Sequence, residues 1–165
     1  YNCLSGEPVL DISQGRPMLM RLPNSKLTVA DFMRNELYSA FAALKNGNDI
    51  LLKKENVKLD KISAHGGLYK TEGVGQKITA AALNTKVTVM KTAGEGGPWG
   101  MAVLALYAIS KSDESLEDYL DNKIFSSAES VSVDPDLRDV EGFDKYMERY
   151  NNAIAVERLA CEKLN

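Results

Sequence analysis

The residues best placed to do chemistry in this chain are glycines. Six of its 12 glycines, Gly66, Gly67, Gly94, Gly96, Gly97 and Gly100, fall in two clusters, and Gly73 and Gly75 lie between them. Each cluster follows a short run of strand character, residues 59–64 and 86–90, and precedes an apolar helical pattern. A strand, glycine turn, helix unit is therefore written twice. A chain that leaves a strand and turns at once into a helix needs positive φ or a close approach, and glycine allows both. Free N–H groups at a helix start attract anions, so a bound nucleotide is one reading of the arrangement. The other is structure alone, since such turns are common in α/β folds.

The polar residues around these turns narrow the choice little. Lys70 can meet a phosphate or simply stand in solvent. Glu95, inside the second turn, would repel a triphosphate but can accept from a ribose hydroxyl or cap the helix. His65, the single histidine, has no partnered aspartate or nucleophile nearby in sequence and reads as structural. Neither GxxxxGK[ST] nor GxGxxG after a strand occurs, so the common mononucleotide folds are not supported.

The elements that must hold the turns are legible from periodicity. Thr28, with Asp31 three residues on, predicts a capped helix, and Val29, Phe32, Met33, Leu37, Ala40, Phe41 and Leu44 predict its buried stripe. That pattern runs to about Leu52 and breaks at Asn56, with Gly47 and Asn48 as a candidate bend and Arg34 and Tyr38 at its boundary. A second helix carries Ile78, Ala81, Ala82 and Leu83. Lys86 to Met90 alternates and is β-branched, hence a strand. Residues 99–109 are apolar all round, which predicts a buried helix. Short strands are expected around Val9 to Ile12 and Met18 to Met20, kept at edges by Pro8 and Pro17, with Ser5, Glu7 and Asp11 as turn residues. Ser115 with Asp118 predicts a cap, Asp134-Pro135 another, and Val140, Phe143, Met147, Tyr150 and Ile154 the stripe of a last helix at about 135–164. Glu148, Arg149 and Glu157 are expected on its solvated side.

Composition bounds the function. At 165 residues, 44% hydrophobic and 26% charged, the chain suits a single globular domain over 1–165. A net charge of −3 argues against nucleic acid and anionic membranes. No apolar run is long enough to span a bilayer. Cys3 and Cys161 form neither a CxxC pair nor a disulfide framework, and the cytoplasm is the expected compartment. The chain opens on Tyr1 as if inside a domain, and a fragment of a longer protein is expected.

The order of these segments resembles the C-terminal part of an FGGY-type carbohydrate kinase, with the xylulose kinase group nearest. The residues that carry the resemblance are Tyr1-Asn2 with Ser5-Gly6-Glu7, the turn Gly15-Arg16-Pro17, the helix from Thr28, His65-Gly66-Gly67 and the stretch from Gly94 to Gly100. It covers the chain from Tyr1 to Glu148. The resemblance implies an α/β fold, the C-terminal part of an actin-like (ribonuclease H-like) ATPase domain, with a mixed sheet and helices on its faces. It also implies ATP and Mg²⁺ as cofactors and a ketose such as D-xylulose as substrate. In the family a motif of the kind GGGAxS contacts adenosine. Gly66 and Gly67 match its start, Thr71 stands at the serine and Gln76 at the following glutamine, while Leu68 replaces the third glycine, Tyr69 the alanine and Ala80 an aspartate. Glu95 and Gly100 match the acidic residue and glycine before the small-residue helix. The implied cofactor-binding set is Gly66, Gly67, Leu68, Thr71, Gln76 and Glu95.

Nothing in the chain resembles the family's catalytic aspartate, its first phosphate loop or most of its sugar pocket. No catalytic residue or metal ligand is therefore expected here, and the chain alone is expected not to phosphorylate a sugar. Its expected partners are the upstream part of the same enzyme, ATP and a ketose, with self-association through an open sheet edge a further expectation. Two rivals remain: a non-catalytic interaction or regulatory module of the same fold, favoured by Leu68 and Ala80, and a family kinase acting on another sugar.

Overall fold

The computed structural model describes residues 1–110 and 113–164. The chain divides into two compact units, one built from Tyr1–Leu59, Ala81–Asn84 and the stretch from Asp136 onward, the other from Asp60–Ala80 and Thr85–Pro135.

The first unit is built on two long helices, α1 (Val29–Lys53) and α5 (Leu137–Lys163). α1 starts where Thr28 and Asp31 cap each other: Asp31 N–H donates to Thr28 Oγ1 at 3.1 Å, and Thr28 N–H donates to Asp31 Oδ2 at 3.0 Å. It runs unbroken past Gly47 and Asn48, and the chain then turns at Asn56, whose φ is 54°. Its buried face overlaps the expected stripe only at Phe41, with Leu37 half-buried. Phe41, Ala42, Ser39 and Asn48 are buried, whereas Val29 is 80% exposed and Phe32, Met33 and Leu44 are also exposed. The packed face is turned toward Tyr38, whose ring meets Phe143 at 5.0 Å and Tyr146 at 5.3 Å. α5 buries Val140, Phe143, Met147 and Tyr150 as its periodicity predicts, with Ile154 half-buried.

The expected strands near the N-terminus are absent. Pro8–Leu10 is a short 3₁₀ turn, and Glu7 and Ile12 form a single isolated bridge. Pro8 lacks an N–H, and Asp11 closes the turn at φ 54°, so the segment coils instead of extending. Side chains pin it to α5. Arg158 donates to the Leu10 carbonyl at 3.1 and 2.5 Å, and Arg16 N–H donates to Glu157 Oε1 at 2.8 Å. Glu157 is therefore fully buried, at 0% exposure, and not on the solvated face its sequence neighbours suggest. Burial first, and the nearby Glu157 charge second, push the Tyr1 hydroxyl up to about 12.

The second unit holds the sheet. β1 (Ile62–Ala64) pairs in parallel with β2 (Val87–Met90), and β2 pairs antiparallel with β3 (Ser130–Val133), in the order β1-β2-β3. The register sets Ile62 against Val87 and Val87 against Val133. α2 (Val74–Leu83) makes the crossover between the parallel strands, as a parallel pair requires. Its alanine surface, Ala80 to Ala82 with Leu83, is buried.

After β2 come a 3₁₀ turn, Ala93–Glu95, and α3 (Gly96–Ser110). α3 was expected to be buried and is not. Only Val103 is buried along it, and Met101 and Ile109 are 68% and 74% exposed. One flank meets the next segment through Trp99 with Phe125, at 5.8 Å, and Tyr107 with Tyr119, at 5.1 Å. A sheet of three short strands cannot enclose a 15-residue helix on every side. Ser115 caps α4 (Leu116–Tyr119) by accepting from Asp118 N–H at 3.1 Å. The cap of α5 is Asp136, which accepts from Arg138 N–H at 2.8 Å. Asp134, the expected cap, instead meets Lys86 at 3.3 Å.

Candidate functional site

Both glycine turns belong to the second unit, where they pack on one another. Gly66, directly after β1 and His65, has φ +114°, a conformation side chains rarely adopt. Its N–H donates to the Ala93 carbonyl of the second turn at 2.7 Å. The second turn lies so close that a Cβ on Gly96 would stand 2.8 Å from His65 Cβ. His65 is thus a packing partner of the second turn. The Leu68 side chain, 37% exposed, lies against Gly75, where an added Cβ would stand 2.9 Å from Leu68 Cγ. The leucine in place of the family motif's third glycine therefore has a packing role.

Gly67 differs from all of these. Its φ is not positive, and a Cβ added there would meet nothing within 4 Å. Nothing in the chain's own packing requires a glycine at this position.

Downstream of this turn lies a cavity of about 300 Å³. One wall is the loop through Tyr69, Lys70, Thr71 and Glu72, another the start of α2 at Gln76, and a third the end of β2 at Val89, Met90 and Lys91, with Val131 from β3. These walls are braced. Gln76 is buried, and its Nε2 donates to the carbonyls of Val87 at 2.9 Å and Val131 at 2.7 Å, tying α2 to two strands. Thr79 gives its hydroxyl hydrogen to the Gly75 carbonyl at 2.7 Å, so the Tyr69 hydroxyl, 2.9 Å from Thr79 Oγ1, is the donor in their contact. The Tyr69 ring is thereby held at the cavity edge.

Of the six expected site residues, Thr71 and Gln76 line the cavity. Glu95 reaches it indirectly, through an ion pair with Lys70. Both members of that pair are well exposed, so water and salt leave it weak and open to exchange. Gly66, Gly67 and Leu68 form the turn that leads to the cavity without lining it. Tyr69, Met90 and Lys91 were not anticipated. Lys91 stands one residue beyond the end of β2. Among the described residues no group of three or more His, Cys, Asp or Glu could hold a metal ion.

The family model described as the FGGY family of carbohydrate kinases, C-terminal domain, matches residues 1–109. The chain belongs to the FGGY family of carbohydrate kinases. No curated protein and no solved structure matches it. The FGGY match takes in both glycine turns and runs through almost all of α3, while β3 and α5 lie beyond it. The family's C-terminal domain implies the actin-like ATPase fold, and this FGGY chain has α/β architecture with a small mixed sheet. FGGY enzymes are kinases that use ATP, generally with Mg²⁺. No helix among the described residues is long and apolar enough to cross a membrane.

Proposed function

We propose that this chain forms the adenosine side of the ATP site in a kinase that phosphorylates a ketose such as D-xylulose, in the cytoplasm. The observation that carries the reading is Gly67: a glycine with ordinary φ and open space above it, on the turn that leads into a cavity of ligand size. A ligand that must lie against backbone gives such a glycine its reason. Bound ATP supplies the γ-phosphoryl group that passes to a sugar hydroxyl.

The chain's own residues position it. The Gly66-Gly67 backbone lies against the adenosine, and the Thr71 hydroxyl and the Glu95 carboxylate offer hydrogen bonds to ribose hydroxyls. Gln76 serves from behind by holding α2 to the strands. Lys70, released from Glu95, offers positive charge to a phosphate. The general base, the first phosphate loop and the metal ligands belong to the upstream part of the enzyme, and catalysis rests on bringing the two parts together.

Gly67→Val in the full-length enzyme tests this. The expected result is a KM for ATP raised at least tenfold, with the KM for the sugar within twofold of wild type. Equal ATP affinity in folded wild type and variant would sink the reading and promote a non-catalytic module of the same fold.

A further inference from the structure

The first unit carries a second concavity, an open groove of about 340 Å³ between α1 and α5. It shares no residue with the cavity beside the glycine turns. Its charge is one-sided. Arg34 on α1 and Lys145 and Arg149 on α5 line it, all three exposed. None of their side chains has an ion pair or hydrogen bond among the described residues. The one carboxylate in the lining, Asp31, is held below the ordinary range by the Thr28 backbone N–H first, its hydroxyl second and, more weakly, the Arg34 charge, so it offsets part of one cation and leaves the groove net positive.

Two features of α5 make this cluster hard to explain as plain surface. Lys145 and Arg149 are four residues apart on one helical face, where like charges repel, a cost that Glu141 and Glu148 at helical spacing from Lys145 offset only in part. Gly142, one turn before Tyr146, sits inside a 27-residue helix, where glycine is unfavourable. Its φ is not positive, and a Cβ there would meet nothing within 4 Å. The groove floor is left bare beside a rigid wall, the Tyr38 and Tyr146 rings packed edge to face at 5.3 Å.

We propose that this groove binds a phosphomonoester, with Arg34, Lys145 and Arg149 around the phosphoryl oxygens and the rest of the molecule over the Gly142 backbone and the Tyr38–Tyr146 wall. Arginine's paired donors match phosphate oxygens, and lysine adds a point charge. The groove volume falls in the range of small-molecule sites. Three cations gathered in one groove suit a single compact dianion better than an acidic peptide, whose carboxylates are spread along an extended backbone.

The test is calorimetric titration of the chain with D-ribose 5-phosphate, with D-ribose and a glutamate decapeptide as comparisons. The expected result is saturable binding of the phosphate ester that weakens with salt and no binding of D-ribose. Affinity should fall at least tenfold in the double variant Arg34→Gln/Arg149→Gln and stay unchanged in Lys91→Gln, which alters only the other cavity. Gly142→Leu should also lose at least tenfold in affinity while its thermal stability holds or rises, since leucine favours the helix and fills the groove. That separates lost binding from lost fold. No saturable binding, unchanged affinity in the two groove variants, or tighter binding of the decapeptide would each overturn the proposal.

Discussion

The two glycine turns follow the same local plan, a strand, then glycines, then a helix, yet their glycines answer to different demands. In the second turn Gly96 is required by its neighbour, because His65 of the first turn occupies the space a side chain would take. In the first turn Gly66 is required by its own backbone, at φ +114°, and Gly67 by neither neighbour nor backbone. Glycine density alone does not mark a ligand site. Gly97 and Gly100, at the start of α3, share both properties with Gly67, so a glycine left unexplained by packing and φ points to a partner only where its turn also leads to a cavity.

Substitutions can break or sharpen this contrast, and the largest effect belongs to the second turn. Gly96→Val should destabilise the chain by about 1–3 kcal/mol, as overpacking does, and the added change His65→Gly should restore part of the loss. Urea unfolding of the single and double variants measures it, and an unperturbed midpoint in Gly96→Val would remove the packing explanation. Next in size is Gln76→Leu. It leaves the Val87 and Val131 carbonyls without their side-chain donor, at a cost of about 1–2 kcal/mol. The same unfolding curves should show it, without a change in ATP affinity beyond what looser walls produce. A larger loss of ATP affinity than of stability would move Gln76 from brace to ligand contact. Smallest is Gly67→Ala, expected to shift stability by under about 0.5 kcal/mol or to raise it slightly by restricting the unfolded chain. A loss as large as that of Gly96→Val would place Gly67 among the structural glycines.

What the sequence revealed and what it hid divides along the same line between local and distant causes. The caps at Thr28 and Ser115, β1, β2 and the turns after them are set by residues within a few positions, and all were legible. β3 was not: Ser130 to Val133 carries the same alternation with β-branched valine, but over four mostly exposed residues with no apolar run beside it, and its pairing with β2 is what fixes it as a strand. Asp134 and Asp136 flank one proline, and the choice of cap fell to the residue whose carboxylate reaches the first turn. Glu157 looked solvated on α5 until Arg16, 141 positions away, covered it. α3 and the Val29 side of α1 have the composition of a core and stand exposed, since periodicity shows which face is apolar and not what lies against it. For the site, Thr71 and Gln76 were reachable from the motif, whereas Met90 and Lys91 join it only through the fold.

The most direct measurement of the central claim is photolabelling of the full-length enzyme with 8-azido-ATP, followed by mapping of the modified peptides. Label that ATP suppresses should fall between Gly66 and Lys91, on the turn, the start of α2 or the end of β2, and should drop sharply in Gly67→Val. Label that ATP suppresses equally but that lies wholly outside this stretch, and persists unchanged in the variant, would contradict the account.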